Sequence, residues 1–177
     1  MSGIMKTMEG FNFEKFTDPS GIWYEIGTNT SEVSAGSGIR NMGKPCENKI
    51  IGFSRKDNVT QQASTSVTSF INACYINGKK VGSIEGKISV SDPLVQSRMS
   101  ISFPGVLGKT SKYWVYDTDY TNYAIVGNDT GKYWILSRES KICPNDHYSY
   151  LNKLKSFGFD VSKERINLNV LKDCQSK

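Results

Sequence analysis

Ile84-Glu85-Gly86-Lys87-Ile88-Ser89-Val90 and, shortly after it, Met99-Ser100-Ile101-Ser102-Phe103 are the stretches whose reading decides the fold. In the first, apolar side chains fall at 84, 88 and 90 with charged or hydroxyl residues between them; in the second the period is again two. Successive side chains of an extended strand point to opposite faces, so each stretch presents one dry face and one wet face, as an antiparallel meander requires. Working outward, runs of the same texture recur at 21–27, 47–55, 65–75, 81–91, 98–103, 112–117, 123–126 and 132–138. Turn-forming residues separate them: Lys56-Asp57-Asn58, Asn77-Gly78, Asp92-Pro93, Pro104-Gly105, and the stretch 127–131 with a glycine at each end. Eight such strands can close on themselves, which removes the unpaired edges that template aggregation. The expected fold is all-β: an eight-stranded antiparallel up-and-down β-barrel, with room inside for one small ligand.

One helix is expected, near the C-terminus. Pro144-Asn145-Asp146 offers a cap, Tyr150, Leu151, Leu154 and Phe157 form an apolar stripe at helical spacing, and Gly158 stands where a terminating glycine belongs. A helix over about 145–157 with one apolar stripe needs a surface to cover, and the outside of the barrel is the available one. The reading is therefore a single domain over 1–177: barrel at about 21–140, helix, then an extended tail. The polar stretch 28–45, rich in Gly and Ser, is too long for a hairpin. It is expected to form a lid over the open end and to control ligand exchange.

Composition narrows the function. The 177 residues are 37% hydrophobic and 22% charged, with a net charge of +5, ordinary for a globular chain. The Lys and Arg residues are dispersed, so no nucleic-acid partner is expected, although a weak attraction to an anionic membrane surface remains open. No apolar run approaches the roughly 18 residues that a membrane-spanning helix needs. The first residues lack the apolar core of a secretion leader. Even so, four cysteines and three glycosylation sequons, at Asn29, Asn58 and Asn128, suit a secreted or extracytoplasmic protein. With no CxxC and one histidine, no metal site is expected.

Three motifs occur in order: Gly21-Ile22-Trp23-Tyr24-Glu25 on the first strand, Thr118-Asp119-Tyr120 followed by Tyr123-Ala124 between the sixth and seventh, and Leu136-Ser137-Arg138 ending the eighth. Together they resemble the three signature regions of the lipocalin family. The longer strings Tyr113-Trp-Val-Tyr-Asp-Thr-Asp-Tyr120 and Tyr133-Trp-Ile-Leu-Ser-Arg138, with Gly158-Phe-Asp-Val161, look most like apolipoprotein D and the bacterial lipocalins. The resemblance implies that Trp23 plugs the closed end of the barrel and that Arg138 packs across its indole. It implies a function too: binding, transport or scavenging of a small hydrophobic ligand such as a fatty acid, lysophospholipid, sterol, retinoid or tetrapyrrole, with no catalysis. No cofactor is required on this reading, a bound lipid or similar molecule is the partner, and a homo-oligomer is not excluded.

Ligand contacts must come from the inner face. Parity from Arg138 turns Leu136 and Trp134 inward, and Trp134 matches a pocket tryptophan of apolipoprotein D. Parity from Trp23 turns Glu25 and Gly27 inward unless a bend intervenes. Elsewhere it selects Ile84, Ile88, Val90, Met99, Ile101 and Phe103, with Ile51, Phe53 and Phe70 as weaker choices. Tyr113 and Val115 follow if Trp114 faces outward, as the family resemblance suggests. Glu25 either anchors a polar ligand group or turns to solvent. The resemblance also implies a Cys46–Cys174 disulfide tying the tail to the barrel; the state of Cys74 and Cys143 stays open, free thiols being one reading. Two rival readings stand beside the carrier. One is a lipocalin-fold enzyme, with Cys74 as the conceivable nucleophile; the other is a protein-interaction module with a filled barrel.

Overall fold

Alternation in the sequence becomes alternation in burial. The computed structural model describes residues 3–30, 46–60, 63–103, 110–167 and 169–175. In β5 (Arg98–Ser102), Met99 and Ile101 are fully buried between partly exposed neighbours. In β4 (Lys79–Val90), Gly86 and Ile88 are buried while Lys87 and Ser89 are exposed. The remaining barrel strands are β1 (Ile22–Thr28), β2 (Asn48–Thr60), β3 (Ala63–Ile76), β6 (Thr110–Thr118), β7 (Tyr123–Gly127) and β8 (Tyr133–Ser137). Each pairs antiparallel with its successor from β2 to β8, β8 pairs with β1, and β1 returns to β2 through Ile22↔Gly52, Trp23↔Ile51 and Tyr24↔Ile50. That last contact closes the ring. The eight-stranded up-and-down barrel is as expected.

The structure extends this plan in three places. Lys56-Asp57-Asn58 reads as a turn by residue type, yet the β2–β3 ladder runs unbroken through it to Thr60↔Ala63. Pairing satisfies the backbone of both strands whatever the side chains. A short ninth strand, β9 (Arg165–Ile166), pairs with Gly27 and Thr28 of β1. The end of β1 that β2 does not reach thus takes its partner from the tail. A short helix, α1 (Phe13–Phe16), also precedes the barrel, capped by Asn12, whose side chain accepts from the Lys15 amide.

Two apolar clusters lie on opposite sides of the barrel wall. The inner one gathers Phe16, Trp23, Phe53, Phe70, Met99, Tyr113 and Leu136 with their neighbours. The outer one lies beneath α2 (Pro144–Ser156), where Tyr150 and Leu154 cover Ile26, Ile125 and Ile135. The helix ends as expected: Gly158 has φ +98°, and the amides of Gly158 and Phe159 donate to Lys155 and Leu154 carbonyls in the pattern of a Schellman cap. Its start differs, because Cys143 is the N-cap residue and Pro144 occupies the first turn. The Asn77-Gly78 hairpin is as read, with φ of 52° and 73°. Residues 31–45, where most of the lid was expected, and the Pro104-Gly105 turn lie outside the described residues.

The disulfides overturn the expected pairing. Cys46 bonds Cys74, with Cα atoms 5.4 Å apart, and Cys174 bonds Cys143 at 5.6 Å. Both bridges are local to a pairing. Cys46 precedes β2, the Glu47 amide donates to the Tyr75 carbonyl, and Cys74 thereby stands beside it on β3. The tail instead pairs in parallel with Ile142, just before α2: the Ile142 amide donates to Val170 and the Lys172 amide to Ile142. This zipper delivers Cys174 to Cys143, and neither Cys74 nor Cys143 is a free thiol.

Candidate functional site: the barrel interior

One end of the barrel is sealed. The Arg138 guanidinium lies 3.5 Å from the centre of the Trp23 indole. It donates from Nε to the Tyr120 carbonyl and from Nη1 to the Ile22 carbonyl. A Cβ at position 21 would meet Arg138 Nη1 at 2.8 Å, so the glycine of the first motif makes room for the arginine of the third. On its other side Trp23 stacks on Phe16 at 5.4 Å, and its indole N–H donates to the Phe16 carbonyl. The second motif forms the adjacent turn. Thr118 Oγ1 donates to Tyr123, Asp119 Oδ1 accepts from the amides of Thr121, Asn122 and Tyr123, and the Tyr120 hydroxyl accepts from the Asn12 amide. Burial pushes the Asp119 pKa up, but the hydrogen bonds from Asn122, Tyr123 and Thr121 outweigh it and hold the carboxyl below its ordinary value.

Above this seal the inner wall is apolar. Leu136, Ile51, Phe53, Phe70, Ile88, Met99, Ile101, Tyr113 and Val115 are all buried in the inner cluster, while Phe103 and Trp134 pack against it half-buried. Trp114 faces outward between the side chains of Arg98 and Lys112. Ile84 and Val90 share the inner parity of β4 but are only partly covered. Gly86 is the inner residue between them, and a Cβ there would meet the Phe103 ring at 2.8 Å. Ile88 and Val90 also line a hollow of about 370 Å³ where Phe13 of α1 approaches Thr68 of β3. A separate hollow of about 360 Å³ lies outside the wall, between α2 and the β6–β7 turn, and is lined mainly by polar groups.

Polar groups interrupt the inner wall, among them Asn72 and Thr68, buried on the same parity of β3 as Phe70. Glu25 is 5% exposed and points inward opposite Leu136. Its Oε2 lies 3.3 Å from Lys49 Nζ and accepts from Asn167 Nδ2 at 3.0 Å. The Tyr113 hydroxyl is buried and has no hydrogen-bond partner among the described residues. Burial, with a smaller contribution from the Glu25 charge, pushes its pKa well above the usual phenol value, so the group stays a donor. Parity fails once on β1: a bulge between Glu25 and Gly27 turns Gly27 outward, where a Cβ would meet Glu164 Oε1 at 2.9 Å.

Some interior residues escaped the sequence reading. Lys49 shares the parity of Ile51 and Phe53, so its place could have been found. Phe16 and Asn167 reach the interior from segments outside the eight strands, and no periodicity marks them.

A closed eight-stranded barrel sealed by a tryptophan and an arginine from opposite ends of the strand order is a recurrent architecture, and the sequence carries its mark. The lipocalin-like domain family matches residues 42–167, most of the chain. The chain is a lipocalin. Among solved structures, insecticyanin from the tobacco hornworm Manduca sexta is similar with a TM-score of 0.60 and 24% identity, over 92% of this lipocalin and 82% of that chain. Lobster apocrustacyanin A1 is similar at 0.54 and 16%, over 89% and 79%, and apocrustacyanin C2 at 0.52 and 15% over the same shares. At these identities the likeness is one of fold. A search of curated proteins found no match to this lipocalin.

Proposed function

We propose that this lipocalin binds a small hydrophobic molecule inside the barrel and carries or scavenges it, without catalysing a reaction. The observation that carries this reading is the Tyr113 hydroxyl, buried within the apolar inner cluster and without a hydrogen-bond partner among the described residues. Buried polar groups in native proteins are nearly always bonded, so an orphan of this kind points to a guest. The chamber has the usual composition of a ligand site: apolar walls and a few polar groups that fix orientation. Half-buried Phe103 and Trp134, with Ile84 above them, offer apolar surface that a ligand would cover at about 25 cal/mol per Å². A fatty acid, lysophospholipid, sterol, retinoid or tetrapyrrole has the apolar character that such a wall favours. Two disulfides support a secreted or extracytoplasmic setting.

The test uses the placement of the tryptophans. Trp23 is sealed at the base and Trp114 faces outward, so a guest in the chamber should quench Trp134. Titration with long-chain lipids is expected to give saturable quenching at one ligand per chain. Trp134→Phe should abolish the signal while the lipid still co-elutes with the protein. Absence of binding to any apolar ligand, together with no lipid in a solvent extract of the purified protein, would defeat the proposal.

A further inference from the structure

The inner wall carries, among other polar groups, one charged pair and one hydroxyl that bonds nothing among the described residues, and together they discriminate among guests. Glu25 and Lys49 form a pair with no net charge. Glu25 Oε2 takes both Lys49 and Asn167, whereas Oε1 accepts no hydrogen bond among the described residues. The two nearby arginines are already engaged at the seal: Arg55 donates to the Glu14 carbonyl and Thr17 Oγ1, Arg138 to Tyr120 and Ile22. Among the described residues, no spare cation therefore faces the chamber. A guest carboxylate would bring a second negative charge beside Glu25 into a largely desolvated space, with Lys49 already committed, and like charges held out of water repel strongly. A neutral end group leaves the balance at zero. If it both donates and accepts, as a hydroxyl or an adjoining N–H and C=O do, it can donate to Glu25 Oε1 or accept from the Tyr113 hydroxyl.

Resting on the carrier reading above, we infer that the interior acid selects apolar guests ending in a neutral donor–acceptor group over those ending in a carboxylate. Any apolar chamber favours an alcohol over a carboxylate to some degree, because the charged head is harder to desolvate. The diagnostic quantity is therefore the change in preference when Glu25 is neutralised. Affinities of the full chain for dodecan-1-ol and dodecanoate are measured at pH 8 by calorimetry, for the wild type, Glu25→Gln and Tyr113→Phe. The ratio of affinities, alcohol over carboxylate, is expected to fall at least about fivefold in Glu25→Gln, mainly through tighter dodecanoate binding. Tyr113→Phe should weaken the alcohol several-fold. Should Glu25→Gln fail to fold, Glu25→Gln/Lys49→Gln removes the charges with little change in shape and makes the same comparison. A ratio unchanged on neutralising Glu25 overturns the inference and leaves the carrier reading standing. Binding of neither compound overturns the inference, and the carrier reading is then decided by the lipid titration and solvent extract described above.

Discussion

At the scale of single residues, the seal depends on three positions that must be chosen together. Gly21 has no Cβ, and the Arg138 guanidinium occupies the space where one would project, flat against Trp23. Replacing Arg138 with Ala removes a cation–π contact and leaves the Tyr120 and Ile22 carbonyls without their charged donor. The expected loss is about 2–3 kcal/mol in urea denaturation, since charged hydrogen bonds contribute about 1.5–3 kcal/mol each. Lys is not expected to rescue it, because an ammonium cannot lie flat on the indole while donating along two directions. Gly21→Ala should cost about 1–3 kcal/mol by forcing the guanidinium aside. In a double-mutant cycle that cost should largely vanish once Arg138 is Ala; full additivity would show that the Cβ clash is not the cause.

At the scale of elements, the lesson concerns what joins to what. Strands were legible because alternation is written into β4 and β5 residue by residue, and α2 because its stripe and Gly158 follow helical rules. The disulfides were not legible, because a cysteine's partner is set by which backbones run side by side. The tail's hydrogen bonds to Ile142 bring Cys174 to the helix start, whereas the family pattern suggested the second strand. Each bridge spans about thirty residues, with separations of 28 and 31, so the chain-entropy model gives about 3–4 kcal/mol apiece. Replacing Cys143 and Cys174 with Ser should lower stability by roughly that amount. Hydrogen exchange should then rise first along 165–175 while β2–β7 remain protected. Uniform loss of protection would mean that the tail does not open separately.

At the scale of the whole molecule, closure decides what the interior holds. The ring brings Glu25 of β1 within 3.3 Å of Lys49 of β2 and places Tyr113 of β6 in the inner cluster, while the segment after β9 supplies Asn167 to Glu25. An ion pair held largely out of water is a weak source of stability, because desolvation offsets much of the attraction. The double replacement Glu25→Leu/Lys49→Met is therefore expected to leave the melting temperature unchanged or raise it. Glu25→Leu alone should lower it, by stranding Lys49. A double variant less stable than either single one would assign the pair a structural role.

Local sequence determined the eight barrel strands, the meander order and the outer helix, and the family resemblance of its motifs named Trp23 and Arg138 of the seal. These follow from period, turn chemistry and motif order, each readable within a few neighbouring residues. Only the tertiary structure decided the cysteine partners, the outward turn of Gly27, the ninth strand and the company that Glu25 keeps. Those depend on which distant segments meet when the sheet closes and the tail docks, and on a one-residue bulge that reverses parity. No short window of sequence records such meetings, because they are settled by the packing of the whole chain.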